Sequence, residues 1–325
     1  MTKEFLLALD SEIALMEQGK QPVELYEPIQ YLMALGGKRI RPVMCLMAYS
    51  LFRNDWEMQV KPALSIEVFH NFTLMHDDIM DKAPLRRGMQ TVHEKWNDNI
   101  AILSGDVMLV EAYQFLNQIE GLNLAQFQYL LKRFSRTAAE VCEGQQLDMN
   151  FEERKDVQIA EYIEMIRLKT SVLLGFSMEM GGLLAQATPD IAQQLYQIGE
   201  LVGLGFQLKD DLLDVYGDPE KFGKQVGGDI LANKKTYLLI RALELSQGEI
   251  RNQLTYWINQ KQFDAAEKVK AVTEIYTQLG LKEEVGLQIQ SYFDKAFLGM
   301  EELPLPQEKK NTLLAFMAGL IHREV

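Results

Sequence analysis

Apolar positions recur at helical spacing along most of this chain. Leu109, Ala112, Tyr113 and Leu116 make one stripe, and Leu130, Leu131 and Phe134 begin another. Strand signals are scarce, with no alternating Val, Ile or Thr runs closed by Asn-Gly or Asp-Gly. Prolines (22, 28, 42, 62, 84, 189, 219, 304 and 306) fall almost wholly at segment beginnings and links, and none lies between Pro84 and Pro189. Thr188-Pro189-Asp190 and the stretch after Asp156 predict helix starts, and Ile163 to Leu184 predicts one apolar helix. Gly36 to Pro42 predicts a turn between two helices. No linker composition and no short-period repeat divides the chain. The pattern predicts an all-α, single-domain bundle over residues 1–325, with roughly ten or more helices.

Composition adds limits. With 47% hydrophobic and 24% charged residues the chain has ample material for a core. A formal net charge of -13 argues against nucleic-acid or anionic-membrane partners, while local basic clusters leave an anionic substrate open. Cys45 and Cys142 are too few for a disulfide framework or a zinc site, which suits a reducing cytoplasm. The first residues lead into an acid-containing amphipathic segment, unlike a secretory signal, and apolar runs such as Leu313 to Ile321 are too short for a membrane span.

Two acidic clusters share one pattern: Asp77-Asp78-Ile79-Met80-Asp81 and Asp210-Asp211-Leu212-Leu213-Asp214. On a helix, residues four apart share a face, so Asp77 aligns with Asp81 and Asp210 with Asp214. Carboxylates set in apolar surroundings need cations. Oxygen-only ligands suit Mg²⁺, which bridges one or two carboxylates to substrate phosphates, and two facing clusters would hold one polyphosphate group. A charged helix end is the bland alternative, less apt for two identical clusters. The spacing does not fit a calcium-binding helix–loop–helix.

Basic residues accompany these acids. Gly36-Gly37-Lys38-Arg39-Ile40-Arg41 sets cations beside glycines that let a phosphate approach the backbone. Arg86-Arg87-Gly88 follows the first cluster. Lys169-Thr170 lies in an apolar helix, where an unpaired Lys is expensive. Lys224 and Lys234-Lys235-Thr236 follow the second cluster, and Gly217 to Asp229 reads as a mobile loop. His70, Gln145, Asp148 and Gln207 complete the polar set, with His76 read as a space-filling residue. A Walker phosphate loop and a Gly-x-Ser-x-Gly elbow are both absent.

In this order, the motifs from Gly36 to Thr236 resemble the trans-prenyltransferases, or polyprenyl diphosphate synthases. Gly144-Gln145-x-x-Asp148 and Gly203-x-x-Phe206-Gln207-x-x-Asp210-Asp211-x-x-Asp214 belong to the same series. The resemblance implies the isoprenoid synthase fold around a deep central cavity, a homodimer, and head-to-tail condensation of isopentenyl diphosphate with allylic diphosphates. It implies Mg²⁺, three ions per site, on Asp77, Asp81 and Asp210, supported by Asp78, Asp211 and Asp214. Arg86, Lys169, Lys224 and Lys234 would then hold the allylic diphosphate. Lys38, Arg41, His70 and Arg87 would hold isopentenyl diphosphate, and Thr170 and Gln207 would lie beside the allylic cation. Phe72, five residues before Asp77, with Thr73 beside it, would set product length. That pattern is most similar to a geranylgeranyl diphosphate synthase, with farnesyl or longer products as alternatives. A terpene cyclase and a non-catalytic partner subunit are rival readings. The repeated Asp-Asp-x-x-Asp form and the retained basic residues weigh against both.

Overall fold

The computed structural model describes residues 1–16, 19–218 and 226–321. The chain is all-α, as the periodicity predicts. Its helices are α1 (Thr2–Leu15), α2 (Val23–Ala34), α3 (Ile40–Ser50), α4 (Val60–Met80), α5 (Val92–Lys95), α6 (Asp98–Leu116), α7 (Leu124–Glu153), α8 (Ile159–Ile166), α9 (Val172–Leu184) and α10 (Pro189–Tyr216). They continue with α11 (Gly228–Leu231), α12 (Tyr237–Leu245), α13 (Gly248–Asn259), α14 (Ala265–Gln278), α15 (Leu281–Glu302) and α16 (Gln307–Ile321).

Both expected starts are present. α10 opens at Pro189, a position where the missing N–H has no helical partner to lose. α8 opens after a reciprocal cap in which the Gln158 and Glu161 side chains each bond the other's backbone. Pro28 departs from the expected pattern. It is buried inside α2, where its ring fills core space at the cost of one helix hydrogen bond.

Two elements depart from the sequence reading. The predicted apolar helix Ile163–Leu184 is interrupted by a π-helical turn, Arg167–Ser171. A two-strand hairpin, β1 (Leu85–Arg86) and β2 (Met89–Gln90), pairs Leu85 with Gln90 and Arg86 with Met89. Its central residues, Arg87 and Gly88, have φ of 54 and 76, the left-handed pair that a two-residue hairpin turn requires. Arg-Gly forms this turn in place of Asn-Gly or Asp-Gly, and each strand is only two residues long.

By packing, the residues form two compact units, each built from separated stretches: 1–137, 173–199 and 302–313 in one, 138–172, 200–301 and 314–325 in the other. In the first, α9 is apolar nearly all round, and such a helix is stable only when buried. Its one acid, Glu179, is fully buried and is matched by Arg133, whose Nε lies 2.8 and 2.9 Å from the two carboxylate oxygens. Phe69, Phe134 and Phe176 pack in series, with centroids 5.4 and 5.6 Å apart. In the second unit, α7 and α10 both press on the π-turn, and their contacts depend on glycine, as described below.

Candidate functional site

In the first unit the acidic cluster closes α4. Asp77 is on its last turn and Asp81 is the C-cap, its N–H donating to the Asp77 carbonyl at 2.8 Å, so the two share a face as predicted. Asp78 turns the other way and is buried. Arg86 grips it with two bonds, Nε at 2.7 Å and Nη2 at 2.6 Å. Burial pushes the Asp78 carboxyl up, and Arg86 pulls against that rise. The hairpin thus carries Arg86 to the cluster, while its turn carries Arg87.

Arg87 lies on Gly37. A Cβ at Gly37 would stand 2.8 Å from the Arg87 Nη2, and the φ of 137 there is a backbone conformation that glycine adopts far more readily than other residues. Nearby, the Arg41 Nη1 meets the His70 Nε2 at 3.0 Å. Burial first, then the guanidiniums of Arg41, Arg86, Arg87 and Arg39, hold His70 well below the usual imidazole range. The neutral ring therefore accepts from Arg41. Burial also pushes Arg41 down to about 10, with Glu67 opposing, and at neutral pH it is still a cation. The Arg41 Nε is buried without a hydrogen-bond partner among the described residues. Three of the four predicted isopentenyl-diphosphate residues therefore gather in one cationic cluster, and Lys38 is exposed on the preceding turn.

Arg39, next to Lys38 and two residues before Arg41, faces inward. Its Nη1 donates to Glu67 at 2.8 Å and its Nη2 to the Met33 carbonyl at 2.7 Å. Glu67, 3% exposed, escaped the sequence reading, although a lone acid in the apolar run Val60–Phe69 was the available signal. It anchors the arginine set, because breaking one side of a buried ion pair strands the other charge.

Phe72 is buried, its ring 5.7 Å from that of Phe69 and 4.8 Å from that of His76. Thr73 donates to the His70 carbonyl at 2.8 Å. His76 reaches the Ile102 carbonyl at 3.2 Å in a niche that Gly105 leaves open, in keeping with its space-filling reading.

In the second unit Lys169 and Thr170 sit on the π-turn, a distortion that often marks functional positions because it re-aims side chains. Two glycines hold this turn. A Cβ at Gly144 would stand 2.6 Å from the Lys169 Cα, and one at Gly203 would stand 2.5 Å from the Ser171 Cα. One turn beyond each glycine comes a partner for the re-aimed residues. Asp148 pairs with Lys169 at 2.7 Å, and Gln207 Oε1 accepts from the Thr170 hydroxyl at 3.0 Å. The motifs Gly144-x-x-x-Asp148 and Gly203-x-x-x-Gln207 are therefore one device used twice.

The second acidic cluster follows on α10. Asp211, 6% exposed, accepts from the Gln207 amide at 3.0 Å and from the Tyr162 hydroxyl. Burial, with Asp229 and Asp214 nearby, pushes Asp211 up to about 7. Asp214 Oδ2 accepts the Asp229 N–H at 3.0 Å, which ties the cluster to the start of α11. Asp210 is half-buried on the same helix, and Lys234 lies just after α11, its N–H donating to the Asp229 carbonyl at 2.9 Å. Lys224 lies outside the described residues, as does much of the loop Gly217 to Asp229. Tyr162 was missed, since a tyrosine seven residues before Lys169 carries no spacing signal.

Among the described residues no three His, Cys, Asp or Glu side chains close into a ready metal cage. Mg²⁺ needs none, since it takes one or two carboxylates and completes its shell with water and phosphate oxygens. The donor set fits it: every candidate ligand is a carboxylate, and burial first, then the charges of Asp229 and Asp214, disfavour the ionised Asp211 that a nearby cation would favour.

The polyprenyl synthetase family model matches residues 22–276, well over half the chain. A geranylgeranyl diphosphate synthase of Methanosarcina mazei is 36% identical over 94% of this chain and 91% of its own length. A solved geranylgeranyl pyrophosphate synthase superposes with a TM-score of 0.94 at 41% identity, covering 100% of this chain and 99% of that one. The Corynebacterium glutamicum geranylgeranyl pyrophosphate synthase, solved with isoprenyl diphosphate and magnesium, has a TM-score of 0.84 at 25% identity, covering 99% of this chain and 97% of that one. With this agreement in sequence and in backbone, the chain belongs to the polyprenyl synthetase family.

Proposed function

We propose that this chain is a short-chain trans-polyprenyl diphosphate synthase that adds isopentenyl diphosphate head to tail to allylic diphosphates, ending at geranylgeranyl diphosphate. The cationic cluster of Arg41, His70 and Arg87 carries this reading over a cyclase, which needs no second diphosphate site. Its buried, unpartnered Arg41 Nε among four guanidiniums is an anion site of the kind the second substrate requires. Retention of both acidic clusters and of this cationic cluster disfavours a non-catalytic subunit.

Asp77, Asp81 and Asp210 would hold Mg²⁺, three ions in all, with Asp78, Asp211 and Asp214 positioning them. Bound Mg²⁺ neutralises charge on the departing diphosphate. Arg86, Lys169, Lys224 and Lys234 would bind the same diphosphate. The C1–O bond breaks with its electron pair leaving on the diphosphate, and Thr170 and Gln207 face the allylic cation. Lys38, Arg41, His70 and Arg87 hold the second substrate so that its alkene adds to C1. The resulting tertiary cation loses a C2 proton to the released diphosphate. Incubation with Mg²⁺, isopentenyl diphosphate and primers of five, ten and fifteen carbons, read by product chromatography, tests the assignment. No elongation of any primer would overturn it.

Phe72 is proposed as the floor. Its ring rests on Phe69, which rests on Phe134, so truncation opens one layer onto another aromatic layer. Phe72→Ala is therefore expected to extend the main product by about one five-carbon unit, not to release chain length altogether. An unchanged product distribution would exclude Phe72 from this role.

We also propose a homodimer. Ile102, Leu103 and Val110 are exposed on α6, an apolar surface suited to a second copy. Sedimentation velocity checks this, and a monomer at micromolar concentration would count against it. No helix among the described residues is long and apolar enough to cross a membrane. Two free cysteines support the proposal of a cytoplasmic location, which cell fractionation checks.

A further inference from the structure

An amide and a hydroxyl stabilise a cation only if their oxygen lone pairs, not their protons, face it. In the second unit four side chains form a directed row. The Tyr162 hydroxyl donates to Asp211 Oδ2. Asp211 Oδ1 accepts from Gln207 Nε2 at 3.0 Å, and Gln207 Oε1 accepts from Thr170 Oγ1 at 3.0 Å. Asp211 accepts at both oxygens, from the phenol at Oδ2 and from the amide at Oδ1, so it pins the amide with nitrogen toward itself and oxygen away. Thr170 then gives its single proton to that oxygen. From Thr170 to Asp211 each hydrogen bond of the row runs inward, so at its outer end Thr170 Oγ1 and Gln207 Oε1 keep oxygen lone pairs to offer a ligand.

Tyr162 closes the far end of the row. It is 1% exposed and packs edge-on against Tyr237, centroids 6.4 Å apart at 74°. The π-turn that carries Thr170 is held by Gly144 and Gly203, so the near end is fixed as well. We propose that Tyr162 is a positioning residue for allylic-cation stabilisation: by fixing Asp211 it sets the polarity of the Gln207–Thr170 row toward the developing positive charge. This rests on the prenyl-transfer reading above. Without the phenol, one Asp211 oxygen loses its donor. The carboxylate can then rotate, and the amide beyond it no longer has a single orientation.

The test compares two analogues of the allylic diphosphate by calorimetry with Mg²⁺ present. One carries an ammonium at the reacting centre, and the other is a neutral thiolodiphosphate. Tyr162→Phe is expected to weaken the ammonium analogue about tenfold and leave the neutral one unchanged, since the row acts on charge alone. In turnover assays the same variant should release more primer as allylic alcohol per elongated product, because a less stabilised cation is more open to water. Equal weakening of both analogues, or of neither, overturns the proposal.

Thr170→Val supplies a second handle if Tyr162→Phe folds poorly. It should show the same selective loss, and the double variant should be no worse than the single ones, because both act through one row. Additive losses would also overturn the proposal. Wild-type protein that neither elongates a primer nor binds either analogue would instead remove the prenyl-transfer reading itself.

Discussion

Replacement of Asp210 by alanine is expected to lower turnover by about 10²–10³-fold while helical content stays close to wild type. The three acids of this cluster have different surroundings, and that difference makes the experiment informative. Asp211 is buried under Tyr162 and Gln207, and Asp214 holds the backbone of Asp229. Removing Asp211 would strand a phenol and an amide in the interior, so Asp211→Ala should cost about 1–3 kcal/mol of stability besides its activity. Asp210 is half-buried on the same helix, and the proposed metal role assigns its carboxylate to chemistry. Steady-state turnover and thermal melts on the two variants separate these effects. Near-wild-type turnover of Asp210→Ala would remove the metal role. In the first cluster Asp77→Ala should behave like Asp210→Ala. Asp78→Ala, which takes both short bonds from Arg86 and leaves it the 3.9 Å pair with Asp77, should behave like Asp211→Ala.

The helices were legible because their signals are local. A 3.6-residue period, a proline at Pro189 and capping residues after Asp156 report on a few neighbouring positions at a time. The acidic and basic motifs were legible because charge in apolar surroundings is costly wherever it falls. What the chain did not disclose depends on partners distant in sequence. The π-turn at Arg167–Ser171 leaves the apolar period intact, so Ile163–Leu184 reads as one helix. Tyr162 meets Asp211 forty-nine positions away, and Glu67 meets Arg39 from a different helix. Side-chain direction was equally hidden. Spacing aligns Asp77 with Asp81, but it does not show that Asp78 beside them is buried and held by Arg86 while Asp77 and Asp81 are more open.

The glycines of the two repeated motifs give the sharpest contrast between local and tertiary preference. Alanine is the better helix former by about 1 kcal/mol, so propensity alone predicts that Gly144→Ala and Gly203→Ala stabilise the protein. Packing predicts the opposite. An added Cβ on Gly144 would lie 2.6 Å from the Lys169 Cα and 2.8 Å from the Leu168 carbonyl carbon. On Gly203 it would lie 2.5 Å from the Ser171 Cα and 2.7 Å from its Cβ. Most of these neighbours are backbone atoms on a turn held from both sides, and they cannot swing away as a long side chain would. Each variant is expected to lose about 3 kcal/mol of stability, the upper end for overpacking. Turnover should fall with it, because the turn carries Lys169 and Thr170, and a displacement of about 1 Å can cost about 10²-fold. Denaturant melts give the sign and turnover gives the coupling. A stabilised Gly144→Ala would mean that α7 does not press on the π-turn. A destabilised but fully active variant would mean that the turn's geometry does not govern the chemistry of Lys169 and Thr170.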